Sequence, residues 1–196
     1  MDYPSTLEII GAATGLVSVY FATRPHIATW HFGIISQIAY FVIFYDAQLY
    51  SDMFLQVFYT VLCIYGIKNW GAANDLPITV LPKSIKLRDS ILLVSMGLGW
   101  GTVMFYLPVW LPSLFPQAAA FPYLDGFIGV MSVFATFYQA QKRVESWWLW
   151  LVTDIIAVPL YWYRELHFTA ILYAIFLAMA FIGYQSWQKQ LKVGAL

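Results

Sequence analysis

Seven apolar runs, each about 20 residues and long enough to cross a ~30 Å hydrocarbon core, follow one another along this chain. They lie at 5–23, 27–45, 51–70, 90–111, 123–140, 147–164 and 167–187. Lipid offers backbone N–H and C=O groups no water, so each run must close its own hydrogen bonds as a helix. Pro25 separates the first two runs, and the Asp46–Asp52 stretch separates the second from the third. A polar connection follows at 71–89, with Asn74, Asp75, Pro77, Pro82, Lys83, Lys86 and Arg88, while Pro108, Pro112 and Pro116 mark the exit of the fourth. The start, Met1-Asp2-Tyr3-Pro4, lacks the basic segment of a cleaved signal, so the first run is expected to stay in the mature protein. Composition agrees: 61% of residues are hydrophobic and 10% charged, against about 45–50% and about 25% in soluble domains. The fold class is an all-α integral membrane protein with seven transmembrane helices.

The basic residues give an orientation. With the N-terminus outside, Arg24, Lys68, Lys83, Lys86, Arg88, Lys142, Arg143, Lys189 and Lys192 all fall on the cytoplasmic side, and only Arg164, beside Glu165, falls outside. Such a bias predicts N-out, C-in, and it requires an odd number of spans. The formal net charge is zero, which gives no case for a nucleic-acid partner. A single cysteine, Cys63, rules out an intrachain disulfide and reads as core filler.

Shifted by 117 residues, the chain superposes its first three runs on its last three without a gap. Trp30 then meets Trp147, Leu49 meets Leu166, Leu55 meets Leu172, Gly66 meets Gly183 and Trp70 meets Trp187; Glu8 meets Asp125, and Gln37 meets Asp154. Both halves keep a Gly-x-x-x-Trp ending and the same Trp-to-Trp spacing. Two three-helix units would run oppositely without a further crossing, and the fourth run supplies it. The predicted plan is three plus one plus three: 1–70, a loop and linker helix over 71–122, 123–187, and a tail at 188–196. Parallel repeats of this kind, as in the SWEET transporters, hold substrate near the bilayer midplane between the units.

Asp154 falls near the middle of the sixth run, where a charge costs at least ~2.5–3.5 kcal/mol, and no Lys or Arg lies at matching depth. Such a carboxylate either pins helix packing through a hydrogen bond or faces a cationic ligand. Trp147 and Trp150 precede it by seven and four residues, on the same helix face. Aromatic rings beside a carboxylate suit a flat cation, whereas Trp at a span end also fits an interfacial belt. Gln37 and Gln56 are further intramembrane donors and acceptors, or interhelical glue.

Two stretches carry a family resemblance: WHFGIISQIAYFVIFYDAQLYSDMFLQVFYTVLCIYGIKNW at 30–70 and ESWWLWLVTDIIAVPLYWYRELHFTAILYAIFLAMAFIGYQSW at 145–187. Together they resemble the Pnu family of bacterial vitamin-uptake facilitators, whose best-known branch takes up nicotinamide riboside. The resemblance implies a SWEET-like fold, a homotrimer in the bacterial inner membrane, and facilitated diffusion made one-way by phosphorylation of the substrate inside. It also implies substrate contacts from Trp147, Trp150 and Asp154 in the sixth helix. Gln56, Tyr59 and Trp70 in the third, Tyr173 and Trp187 in the seventh, and Gln37 as repeat mate of Asp154 complete the candidate set. Nicotinamide riboside transporters resemble one another in carrying Asn where this chain has Asp154, and Asp there looks more like thiamin-associated branches. Both substrates are cationic aromatics; nicotinamide riboside ranks first and thiamin second.

Other classes fit poorly. The last run lacks the lysine of a retinal Schiff base, and no nucleophile elbow, His-Glu-x-x-His or aspartate pair suggests a protease. His26, His31 and His167 are scattered at run ends, which predicts no metal site and no cofactor. The expected activity is transport, not catalysis.

Overall fold

The computed structural model describes residues 6–46, 50–71, 76–113, 121–163 and 167–193. Leu49, Asn74, Asp75, Pro116, Arg164, Glu165 and Leu166 lie outside the described residues. Seven helices are present among those described: α1 Thr6–Thr23, α2 Ala28–Asp46, α3 Tyr50–Trp70, α4 Lys83–Trp110, α5 Pro122–Ala140, α6 Glu145–Tyr163 and α7 His167–Val193. By length and composition α1, α2, α4 and α7 are each apolar enough to cross a membrane. Two helices outrun their apolar segments. α4 begins at Lys83, just after Pro82, and α7 continues past Trp187 to Val193. Lys, Ser, Gln and Leu sustain a helix in water as well as in lipid, and neither 83–89 nor 188–193 holds a Pro or Gly to stop it.

The molecule is built inside out relative to a water-soluble protein. Apart from four tryptophans and a few other large side chains, its buried positions hold Ala22, Ala39, Ala135, Ala157, Ala170, Ala180 and the polar Ser36, Ser132, Ser146, Thr153 and Gln139. Large apolar side chains such as Phe168, Val109, Phe58 and Ile155 point outward. Between helices in lipid there is no hydrophobic drive, so close contact of small residues and hydrogen bonds must hold them together. The crossing of α4 on α5 shows this directly. Gly97 and Gly101 of α4 meet Gly126 of α5 so closely that a methyl on Gly126 would sit 2.8 Å from the Gly101 backbone nitrogen.

The packed pairs are α1 with α2, α2 with α3, α3 with α5, α5 with α6, α6 with α7, and α7 with α1, while α4 packs on α5 alone. Six helices therefore close a ring, and α4 lies outside it. Exchanging α1, α2 and α3 for α5, α6 and α7 turns the ring's list of pairs into itself. α1, α3, α5 and α7 finish at the same end of the bundle, where α2, α4 and α6 begin, so α4 crosses back between α3 and α5.

At that end the 76–82 segment is strapped onto the α5–α6 turn. Thr79 and Arg143 form an isolated parallel bridge, with Thr79 N–H donating to the Lys142 carbonyl at 3.0 Å and Val144 N–H to the Thr79 carbonyl at 3.1 Å. Arg143 donates to the Thr79 hydroxyl at 2.7 Å, and Lys86 pairs with Glu145 at 2.6 Å. Asp89, buried at the start of α4, accepts from Arg88 and from the Tyr138 hydroxyl of α5.

Candidate functional site

One end of the ring is closed by four tryptophans, one from each of α2, α3, α6 and α7. Trp30 stands edge-on to Trp70 at 5.1 Å between centroids, Trp70 lies 5.9 Å from Trp187, and Trp187 stands edge-on to Trp147 at 5.5 Å. Glycines make this possible. A methyl on Gly66 would come within 2.3 Å of the Trp30 ring, and one on Gly183 within 2.4 Å of Trp147. Each Gly-x-x-x-Trp ending thus has two tasks: its Gly receives the ring of the preceding helix, and its Trp reaches the neighbouring three-helix segment. Trp70 donates its indole N–H to the Ala140 carbonyl of α5 at 3.1 Å, and Trp187 donates to the Ala22 carbonyl of α1 at 3.0 Å. Asn69 adds a second donor to Ala140 at 3.2 Å, and the Lys142 ammonium lies 5.1 Å from the Trp70 ring centroid.

Asp154 lies seven residues along α6 from Trp147, about 10 Å further from the layer at 1.5 Å per residue. It is 2% exposed, and no described Lys or Arg pairs with it. Its surroundings are phenolic. The Tyr173 ring of α7 packs on Tyr161 of α6 at 4.9 Å between centroids, and its phenol lies within electrostatic reach of Asp154 and of Tyr59 of α3. Trp150, between the layer and Asp154, packs against the tryptophan cluster and donates its indole N–H to Gln139 of α5 at 3.2 Å. Asp154 and the Tyr161 and Tyr173 phenols of α6 and α7 thus lie near one another, with Tyr59 of α3 toward Tyr173 and Trp150 one turn nearer the tryptophan floor. An isolated carboxylate in such a setting is costly, and a cationic ring stacked on Trp150 would offset the cost through attraction and cation–π contact.

The predicted residues fall into three groups. Trp150, Asp154, Tyr59 and Tyr173 come together as described. Trp70, Trp147 and Trp187 are buried in the closing layer. Gln37 and Gln56 line a cavity of about 210 Å³ between α2 and α3, with Thr60 and the exposed Ile38, Phe41, Val57 and Val61. α2 stands opposite α6 in the ring, as α3 stands opposite α7, so Gln37 and Asp154 come from opposite arcs. Tyr161 and Gln139 were not singled out in the sequence. Tyr161 follows Asp154 by seven residues, a same-face spacing that offered a signal, while Gln139 sits at the end of its run and reads there as interfacial.

A ring of apolar helices around a buried polar cluster is the build of a multi-pass membrane protein with an interior site, and the comparisons with known proteins name the kind. Residues 5–189 match the nicotinamide mononucleotide transporter family, to which the chain belongs. It is 27% identical over 209 residues to the nicotinamide riboside transporter PnuC of Escherichia coli, covering 93% of this chain and 85% of that one. It is 25% identical over 184 residues to the riboflavin/roseoflavin transporter RibM of Streptomyces davaonensis, covering 92% and 83%. The crystal structure of the vitamin B3 transporter PnuC is similar with a TM-score of 0.68 at 26% identity, covering 95% of this chain and 82% of that one. The family is one of transporters, in agreement with the reading of this chain as a transporter and not an enzyme.

Proposed function

We propose that this protein is a facilitator that takes up nicotinamide riboside across the bacterial inner membrane. The observation that carries the reading is Asp154, buried with no described Lys or Arg paired to it, one turn from Trp150 on α6 and near Tyr173, which in turn faces Tyr59. The pyridinium ring would stack on Trp150 with its charge toward the carboxylate, its hydroxyls would exchange hydrogen bonds with the phenols, and Trp70, Trp147 and Trp187 would form the floor. Relatives named as nicotinamide riboside transporters align with 93% and 96% of this chain. Gln37 and Gln56 would contact substrate from the opposite arc once that arc moves.

All seven helices would cross the bilayer, N-terminus outside, with 1–70 and 123–187 as parallel units joined through 71–122 and a cytoplasmic tail from 188. The exchange symmetry of the packed pairs supports this plan. Rocking at the α1–α7 and α3–α5 seams would open the lumen to each side in turn, with no ATP, coupling ion or cofactor. Phosphorylation inside the cell would trap the product, and the functional unit would be a homotrimer.

Thiamin is the second reading, favoured by Asp instead of Asn at 154: an aminopyrimidine donates N–H groups that a carboxylate accepts. The test is equilibrium binding of nicotinamide riboside, thiamin and riboflavin, side by side, to purified wild type and Asp154→Leu. A preference for nicotinamide riboside supports the first reading and a preference for thiamin the second. Affinities for all three that ignore the substitution would make Asp154 a packing residue and remove the basis of both.

A further inference from the structure

Trp150 differs from the other site tryptophans in what holds it. Trp70 and Trp187 donate to backbone carbonyls, which any sequence provides; Trp150 donates to a side chain, the Oε1 of Gln139. An indole N–H can only donate, so the Gln139 amide must present its oxygen. Gln139 is itself 8% exposed, one residue before the Ala140 carbonyl that anchors Trp70. This glutamine therefore lies where the floor and the stacking face meet.

The 117-residue offset shows that the pair is not part of the shared packing plan. Trp147, Gly183 and Trp187 each have an identical mate in the first unit, namely Trp30, Gly66 and Trp70. Trp150 falls on Gly33 and Gln139 on Ala22. At Gly33 the space is already taken, since an added methyl would lie 3.1 Å from the Cys63 sulfur. Both partners are thus small in one unit and large and polar in the other, while the tryptophans and glycines around them are kept. Helix packing is achieved without the pair in α1–α2, so the pair in α5–α6 has another use.

We propose that Gln139 is a positioning residue: its side-chain oxygen fixes the Trp150 ring in the orientation on which the substrate's cationic ring stacks. This deepens the function proposed above and rests on it. Without the acceptor, the indole loses its hydrogen bond in a low-dielectric site and turns to find another, so the stacking plane is no longer preformed.

The experiment is binding of nicotinamide riboside to the purified full chain carrying Gln139→Met, which keeps length and volume but no strong acceptor, and Gln139→Glu, which keeps an oxygen at the same reach. Gln139→Met is expected to weaken binding about tenfold and Gln139→Glu by less than about threefold, with both variants monodisperse. In a Trp150→Phe background, Gln139→Met should change affinity by less than about twofold, because the bond it removes is already gone. In 15N-tryptophan-labelled protein, the indole signal that Trp150→Phe deletes is the one Gln139→Met should shift. Wild-type affinity in Gln139→Met, or an undiminished loss in the Trp150→Phe background, overturns the proposal. If Trp150→Phe and Asp154→Leu impair binding while Gln139→Met does not, the inference alone falls. If none of the three has an effect, the substrate site itself is misassigned.

Discussion

Substituting Ala for Gly183 adds one methyl group where the tryptophan floor is already in close contact. The new carbon would stand 2.4, 2.5 and 2.6 Å from Cη2, Cζ2 and Cζ3 of Trp147, whereas carbons settle at about 3.5–4.0 Å. The indole is rigid, 1% exposed and edge-on to Trp187 at 5.5 Å, so it cannot retreat by about 1 Å without moving the layer. Overpacking of this kind costs about 1–3 kcal/mol, and the better helix propensity of Ala returns about 1 kcal/mol. With three atoms of one ring in conflict, the upper half of that range applies and a net loss of about 1–2 kcal/mol results. Gly129 provides the control, because a methyl there meets nothing within 4 Å; Gly129→Ala should gain up to about 1 kcal/mol by propensity alone. Thermal unfolding in detergent, followed by circular dichroism, compares the two. Opposite signs are expected, with weaker substrate binding only in Gly183→Ala. A Gly183→Ala protein as stable as Gly129→Ala would refute the claim that glycine here exists to seat the tryptophan.

Three further outcomes follow from contacts elsewhere. Gly126→Ala should lower the melting temperature more than Gly183→Ala, because its methyl meets backbone of α4, at 2.8 Å from Gly101 N, which has no rotamer with which to give way. Trp187→Phe keeps most of the ring but removes the hydrogen bond to Ala22 that ties α7 to α1; labelling of a cysteine introduced on the α1–α7 seam should rise, and unchanged labelling would show that bond to be irrelevant to closure. Asp89, just outside the fourth apolar run, is held below the ordinary carboxylate range by the Arg88 hydrogen bond, with help from Tyr138 and against the opposing effect of burial. A depressed folded value stabilises above the unfolded value, about 4, and the benefit is lost as pH falls through the folded one. Taking the pH from about 5 to about 3 should therefore cost the wild type more melting temperature than Asp89→Asn, and equal slopes would contradict the assignment.

What the sequence makes legible is length and punctuation. Apolar runs mark where helices lie, prolines mark some of their ends, and the Gly-x-x-x-Trp spacing is visible before its cause is known. The cause, an indole seated on glycine, needs two helices to be placed side by side. Rotation of each helix about its axis is the part that stays hidden. Helices that are apolar all round carry no stripe to announce an inner face. The repeat alone therefore makes Gln37 the mate of Asp154; α2 and α6 stand opposite one another in the ring, and the structure adds that Gln37 shares a cavity with Gln56 between α2 and α3. Gln139 was hidden for the same reason: a polar residue at the end of a run reads as solvated until α6 is packed against it. The strap at 76–82 shows no periodicity, and only its pairing with 142–144 reveals that it is folded.

The measurement that bears most directly on the central claim is nicotinamide riboside uptake into proteoliposomes without ATP or any ion gradient, for wild type and Asp154→Leu. Leu removes the carboxylate but leaves the tryptophan floor, whose integrity thermal unfolding reports. Wild-type vesicles are predicted to fill to the external concentration and no further, and Asp154→Leu vesicles to fill at least tenfold more slowly. Uptake that needs an ion gradient would contradict facilitation, and equal rates in the two proteins would contradict a substrate site at Asp154.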